Sequence, residues 1–441
     1  MSQPSVAKQT APAQQQSWGK LITLGIQHVF AMFGSTVLVP ILTGLDTSVA
    51  LFAAGLGTIF FHLVTKRKVP AFLGSSFAFI AAIQTVASMK SGGAAIGTPE
   101  YMGGLQYACG GIIVAGALYL VLALLVKLVG SERVRSFFPP LVTGPIIIII
   151  GLMLAPTAIN NIVQANGQAL VGTALWSNWA VAAITIATMF IVSIFVKGFF
   201  KMVPILFGIA VGYIASLIFT WCGVPMVAFD SLAQAPWVAV PSFFLPKFSW
   251  DAIIIIAPLA IVTFVEHIGD INANGAVVGK DFFKDPGLHR TLIGDGVATM
   301  LAGFIGGPAN TTYSENTGVL AATKNYNPLT LEIAAVFAIL LSFFGKFSGF
   351  LSTLPSAVMG GISIILFGMI AAVGLRTLVE GQVDFKDSRN LMIVAVMLVL
   401  GLGGAAFNLG ANVTISGVAL SAVVGIVLNK VIPVKVDQPE Q

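Results

Sequence analysis

Four acids stand in or beside apolar runs, where acids are costly: Glu266, Asp270, Asp295 and Glu315. An ionised carboxylate at the centre of a bilayer costs about 2.5 to 3.5 kcal/mol even on the mildest scale, so each must face a protein interior and serve a purpose there. Glu266 and Asp270, in "VEHIGD", are four apart and share one helix face. Glu315, in "NTTYSENTGV", lies among hydroxyls, amides and glycines. Asp295, five residues beyond Arg290, suits a capping or ion-pair role. Ionised carboxylates accept from N–H donors, and no Lys or Arg lies deep in a span to cradle an anion. The chemistry this favours is recognition of a flat, neutral, amide-like ligand. A buried carboxylate also takes up a proton more readily than one in water, so Glu266 or Asp270 could exchange one as the ligand comes and goes.

Gln27 and His28 in "IQHV" are matched by Glu266 and His267 in "VEHI". A histidine on an apolar face is more often a satisfied structural residue than a ligand, so Gln27, His28 and His267 are assigned to support. Phe77 and Tyr313 occupy matched places in "SSF" and "TTY". They either pack in the core or offer a ring to a planar ligand. Four scattered histidines and two remote cysteines, Cys109 and Cys222, provide no metal cluster and no nucleophile with its base. Neither an enzyme nor a bound metal or cofactor is expected.

These residues must be positioned by membrane-spanning helices. The 441 residues are 57% hydrophobic and 9% charged, against roughly 25% charged in a soluble domain. The net charge of +5 is therefore read by its distribution between loops and not as a sign of nucleic-acid binding. Apolar segments fall near 20–42, 47–65, 104–129, 139–158, 178–196, 202–222, 251–274, 291–306, 330–349, 356–376, 390–406 and 412–432. Two more, 70–88 and 307–323, are too polar and glycine-rich to face lipid, and they bring the count to fourteen. Residues 1–17 are polar and lack the apolar core of a cleaved leader. With both termini cytoplasmic, all of the 22 basic residues except Lys90, Lys247 and Lys346 fall inside, as positive charge in short loops requires.

The two halves also repeat. "IQHV" at 26 recurs as "VEHI" at 265, "AGLGT" at 54 as "DGVAT" at 295, "SSF" at 75 as "TTY" at 311, and "PPLVTG" at 139 as "PSAVMG" at 355. Seven spans per half invert the second half in the membrane. Inverted repeats with interrupted segments in corresponding places are the organisation of secondary transporters, with the ligand held near the midplane.

The run "ENTGVLAATK" from Glu315, with "QHVFAMFGSTVLVP", "LGSSFAF", "VEHIGD", "DPGLHR" and "NTTYSENTGV", resembles the nucleobase-ascorbate transporter family (nucleobase:cation symporter-2). Within it, residues 20–432 look most like the bacterial uracil permeases. The resemblance implies an all-helical, fourteen-segment fold of a 7+7 inverted repeat, with short strands in segments 3 and 10. It implies a core domain at 18–130 and 250–350, a gate domain at 131–230 and 351–432, polar ends at 1–17 and 433–441, and a homodimer in the bacterial cytoplasmic membrane. Carried over, Glu266 and Glu315 are the principal substrate-binding carboxylates. Phe77 stacks or packs on the base, the backbone around Ser76, Tyr313 and Ser314 contacts its edges, Asn316 supports the site, Ser35 lines it, and Phe367 stands where the uracil permeases can show a tyrosine from the gate. Glu266 and Asp270 carry the proton.

Asp270 departs from the pattern, standing where a uracil permease has a proton-coupling histidine. Aspartate there is typical of the xanthine and urate branch, whereas Glu315 is the uracil-like choice. Proton-coupled uptake of uracil is thus the expectation, and xanthine or another purine the alternative. A rival of different chemistry is an anion carrier on the same fold, which should offer a cationic or amide-only pocket in place of Glu266 and Glu315.

Overall fold

The computed structural model describes residues 17–433 except 131, 134–135, 166–167, 406, 409–413 and 416. The polar terminus at 1–16 and the tail at 434–441 lie outside the described residues. In chain order the elements are α1 (Trp18–Thr43), α2 (Thr47–Val64), β1 (Leu73–Ser75), α3 (Ile80–Lys90) behind a short turn of 3-10 helix (Phe77–Phe79), and α4 (Pro99–Val129). Next come α5 (Pro140–Met153), α6 (Ala155–Val163), the hairpin β2–β3 (Gln164–Ala165, Gln168–Ala169), α7 (Gly172–Phe195) and α8 (Pro204–Trp221). The second half holds α9 (Asp230–Gln234), α10 (Trp250–Ile256), α11 (Leu259–Val278), α12 (Leu288–Phe304), β4 (Asn310–Thr312), α13 (Ser314–Thr323) and α14 (Pro328–Ser342). It ends with α15 (Gly345–Leu351), α16 (Ser356–Glu380), α17 (Ser388–Leu402), strands β5 (Phe407–Asn408) and β6 (Thr414–Ile415), and α18 (Gly417–Val431).

Eight of the described helical stretches are long and apolar enough to cross a membrane, and four shorter apolar helices accompany them. Local chemistry sets their ends. Asp46 caps α2 through Ser48 and Val49 N–H, Thr98 caps α4 with Pro99 in its first turn, and Asn327 caps α14 ahead of Pro328. Gly44 and Gly279 close α1 and α11 in the left-handed conformation that glycine adopts freely.

Three segments read as single spans are broken. Residues 139–158 are α5 and α6 around Leu154, 251–274 are α10 and α11 around Ala257–Pro258, and 330–349 are α14 and α15 around Phe343–Phe344. Proline accounts for the first two: Pro258 stands at the start of α11 and α6 carries Pro156 in its first turn, where the missing N–H costs no helix bond. The last segment starts later than expected, with α18 beginning at Gly417.

The two sequence halves interleave. Helices α2 and α4 pack on α12, and α1 and α2 pack on α14. Elsewhere α5, α6 and α7 pack on α16, and α5 on α17. Neither half could bury its apolar faces alone.

Candidate substrate site

The site is built on a ladder of two three-residue strands. β1 pairs antiparallel with β4 in the register Leu73↔Thr312, Gly74↔Thr311 and Ser75↔Asn310. Ser76 N–H donates to Ala309 O at 2.8 Å and Tyr313 N–H to Phe72 O at 2.9 Å, extending the ladder at both ends. Extended backbone at membrane depth survives only where protein satisfies it, and side chains complete that satisfaction. Thr58 Oγ1 accepts from Leu73 N–H at 2.9 Å, Thr299 Oγ1 donates to Asn310 O at 2.9 Å, Ser75 Oγ to Thr36 O at 3.0 Å and Asn310 Nδ2 to Ala53 O at 3.0 Å. Asn274 of α11 donates to Pro70 O at 2.7 Å, fixing the approach to β1. Because the strands run oppositely, the helices that follow them leave from opposite ends of the ladder. Each turns the open N–H groups of its first turn toward the ladder, where partial positive charge gathers.

The acids converge beside this ladder. Asp270 accepts from Ser314 Oγ at 2.5 Å and from Thr312 Oγ1 at 2.9 Å, joining α11 to the β4–α13 junction. Glu315, in the first turn of α13, accepts from Ser35 Oγ of α1 at 2.7 Å. Glu266 stands one turn before Asp270 on α11 and is half-buried, as are Asp270 and Glu315. Phe77 is half-buried as well, and its ring meets that of Phe367 from α16 edge-on, with centroids 6.4 Å apart at 79°. Ser76 Oγ is buried without a hydrogen-bond partner.

Other expected residues fall into the scaffold. Asn316 Nδ2 donates to His28 Nδ1 at 3.0 Å and to His28 O at 3.1 Å, pinning α13 to α1. His267 is fully buried and contacts Thr291 Oγ1 through Nε2 at 2.9 Å. Thr291 Oγ1 itself donates to Leu288 O, so Nε2 is the donor in that pair. His267 Nδ1 faces Asp295 Oδ2 at 3.1 Å, an electrostatic contact without hydrogen-bond alignment. Asp295 thus meets His267 deep in the protein, and Arg290 reaches Val64 O. Gln27 is half-buried, and its Oε1 has no hydrogen-bond partner among the described residues.

Tyr313 packs in the core, one of the two readings open to its ring, while Phe77 at the matched place is half-buried. The Tyr313 ring is 4% exposed, lies over Gly74, and its hydroxyl donates to Ser75 O at 2.9 Å while accepting from Thr36 Oγ1 at 3.3 Å. A Cβ on Gly74 would sit 2.4 Å from that ring, so the close approach requires glycine. The reason is a one-residue offset in the repeat: Ser76 and Tyr313 both precede the first residue of a helix, so Tyr313 corresponds to Ser76 and not to Phe77. Thr291 and Thr36 escaped the reading of the sequence, since single threonines in helices carry no spacing signal, and Thr312 was read only as part of the "TTY" match.

Along the last turns of α11 lies an open cavity of about 610 Å³, lined by Ile271, Asn272, Gly275, Ala276, Lys280 and Lys284 among others. Asn272 and Ala276 of its lining are exposed, as are Gly269 and Ala273 elsewhere on α11 and Ser314 and Gly318 on α13. The four acids themselves lie outside that cavity.

A family profile described as Permease family, of the xanthine and uracil permeases, matches residues 19–410. The chain belongs to this family, the nucleobase-ascorbate transporters. A probable uracil permease of Haemophilus influenzae is 44% identical over 421 residues, covering 96% of this chain and 96% of its own length. A uracil permease of Bacillus caldolyticus is 44% identical over 94% of this chain and 92% of its own. The transmembrane domain of a cyanobacterium bicarbonate transporter matches with a TM-score of 0.64 at 17% identity, over 92% of this chain and 97% of that one, a likeness of fold alone. As a member of this permease family the chain is a multi-pass membrane transporter and not an enzyme.

Proposed function

We propose that the protein is a proton-coupled uracil symporter that works by alternating access. The observation that carries this is the meeting of Ser35–Glu315 and Asp270–Ser314 at the β1–β4 ladder. That meeting gives a flat ligand two kinds of partner: carboxylates for its N–H groups and first-turn amides for its carbonyls. Relatives named uracil permeases support the choice of ligand. Glu266 and Glu315 would accept from uracil N–H groups, Phe77 would pack on the ring, and Ser35 would orient Glu315. The first-turn N–H groups near Ser314 and Phe77 would receive its carbonyls, with Ser76 Oγ beside them. Asn316, His28 and His267 would hold the frame, as would Tyr313, whose own N–H is already used. Acidic partners of this kind disfavour an anionic substrate, which argues against anion transport despite the shared fold.

The eight long and four shorter apolar helices, with α12 and the half-helix α13, would make up fourteen segments in two inverted sets of seven. α1–α4 and α10–α15 would form the core, and α5–α8 with α16–α18 the gate, with residues 131–230 and 351–432 supplying the latter. Both termini would be cytoplasmic and the active form a homodimer. Protonation of Glu266, shared with Asp270, would favour uracil binding, after which the core would move against the gate. The open path along α11 toward Lys280 and Lys284 fits a site open to the cytoplasm.

Calorimetric titration of the purified protein tests the ligand. Uracil should bind, xanthine should bind far more weakly, and Glu315→Gln should lose uracil binding. Tighter binding of xanthine would replace this reading with a purine permease.

A further inference from the structure

Away from the acids, a groove of about 350 Å³ lies between α1 and α14, lined by Ile22, Ile333, Val336, Phe337 and Leu340, with Leu329 and Glu332 at one end. Its walls are lipid-facing: Ile22 is 41% exposed, Val336 48% and Leu340 61%. Its floor is set where the helices nearly touch, since a Cβ on Gly25 would lie 2.6 Å from Ile333. From Leu329 to Leu340 the helix rises about 16 Å, which matches the half-thickness of a bilayer's hydrocarbon core, about 15 Å. One acyl chain fills such a groove along one leaflet.

Its polar end carries the complementary charge. Arg67 Nε lies 2.8 Å from Glu332 Oε1, an ion pair without hydrogen-bond alignment, yet its side chain is 66% exposed, which leaves guanidinium donors facing out. Lys66 beside it and Lys20, two residues before Ile22, are exposed too. Lys66 and Arg67 both adopt positive φ, 57° and 56°, an uncommon backbone for such residues. The pair with Glu332 fixes where the Arg67 guanidinium points. Glu332 also lies 3.4 Å from His62 Nδ1, and His62 Nε2 is 2.9 Å from Ala71 O, two residues before β1.

We propose that this groove binds one anionic glycerophospholipid, with its phosphate at Arg67 and an acyl chain along Ile22, Ile333, Val336 and Leu340. Basic pockets between helices at the cytoplasmic face are suited to such headgroups. That the leaflet is the cytoplasmic one, and that the headgroup steadies β1 through Arg67, Glu332, His62 and Ala71, rests on the functional reading above. The binding itself does not.

The test is retention of lipid by the purified full chain, read by native mass spectrometry after exchange into equal parts phosphatidylglycerol and phosphatidylcholine. Wild type should retain phosphatidylglycerol in preference. Arg67→Gln should cut that preference about fivefold, and Val336→Trp, which fills the groove and leaves every charge in place, should abolish it. Lys197→Gln, removing an exposed charge elsewhere, should leave it intact. Inorganic phosphate at millimolar concentration should not displace the lipid. Equal retention of the two lipids would overturn the proposal, as would a preference that survives Val336→Trp, falls equally with Lys197→Gln, or yields to phosphate alone. No substrate enters the assay, so its failure and a failure of the uracil reading are separable.

Discussion

Ser35 and Glu315 are 280 residues apart in sequence, and the 2.7 Å bond between them is the contact on which the ligand reading turns. A hydrogen bond to a charged group contributes about 1.5 to 3 kcal/mol, so Ser35→Ala should weaken uracil uptake roughly tenfold or more while the protein stays in the membrane at normal levels. Labelled-uracil uptake normalised to membrane abundance reads this directly. Asp270 poses the coupling question. Held by Thr312 and Ser314, it can keep the site in shape as asparagine, so Asp270→Asn should retain uracil exchange between equal pools and lose accumulation driven by a proton gradient. Intact accumulation would remove Asp270 from coupling. Glu266, Asp270 and Glu315 could be singled out from composition alone, because an acid in an apolar run is costly wherever it lies. The place of Tyr313 could not: a repeat match tolerates a one-residue shift, and only the position of each helix start reveals it.

At the scale of elements, the ladder is the least forgiving part. Gly74→Ala would drive a Cβ to 2.4 Å from the Tyr313 ring, and overpacking of that kind costs about 1 to 3 kcal/mol. A lower melting temperature and lost transport are expected. Gly318→Ala, which meets nothing within 4 Å, should leave the melting temperature unchanged or raise it, since alanine favours helix by up to about 1 kcal/mol. Differential scanning fluorimetry of the two variants side by side decides this. That segments 70–88 and 307–323 were unlike their neighbours was legible in their glycines and hydroxyls. Their short strands were expected from the family resemblance alone, since three residues are too few for an alternating pattern. The breaks at Leu154 and Ala257 were masked by continuous hydropathy, although Pro156 and Pro258 mark both.

At the scale of the molecule, the packing of α1, α2 and α4 on α12 and α14, and of α5 to α7 on α16, explains why no half stands as a folding unit. The assembly into bundles was not legible in the sequence, because a lipid-facing and a protein-facing helix carry the same apolar residues. The open path along α11 makes one accessibility prediction. Ala276→Cys, on the exposed wall of the 610 Å³ cavity, should react with a membrane-impermeant maleimide offered from the cytoplasmic side in inside-out vesicles. Labelling only in right-side-out vesicles would reverse the orientation.

The central claim is that Glu315 binds a nucleobase whose entry is driven by protons. Accumulation of labelled uracil in proteoliposomes, under an inward proton gradient and in the presence of excess xanthine, tests it most directly. Wild type should concentrate uracil, collapse of the gradient should stop it, and Glu315→Gln, inserted to the same level, should show no uptake. Undiminished uptake by Glu315→Gln, or accumulation indifferent to the gradient, would contradict the account.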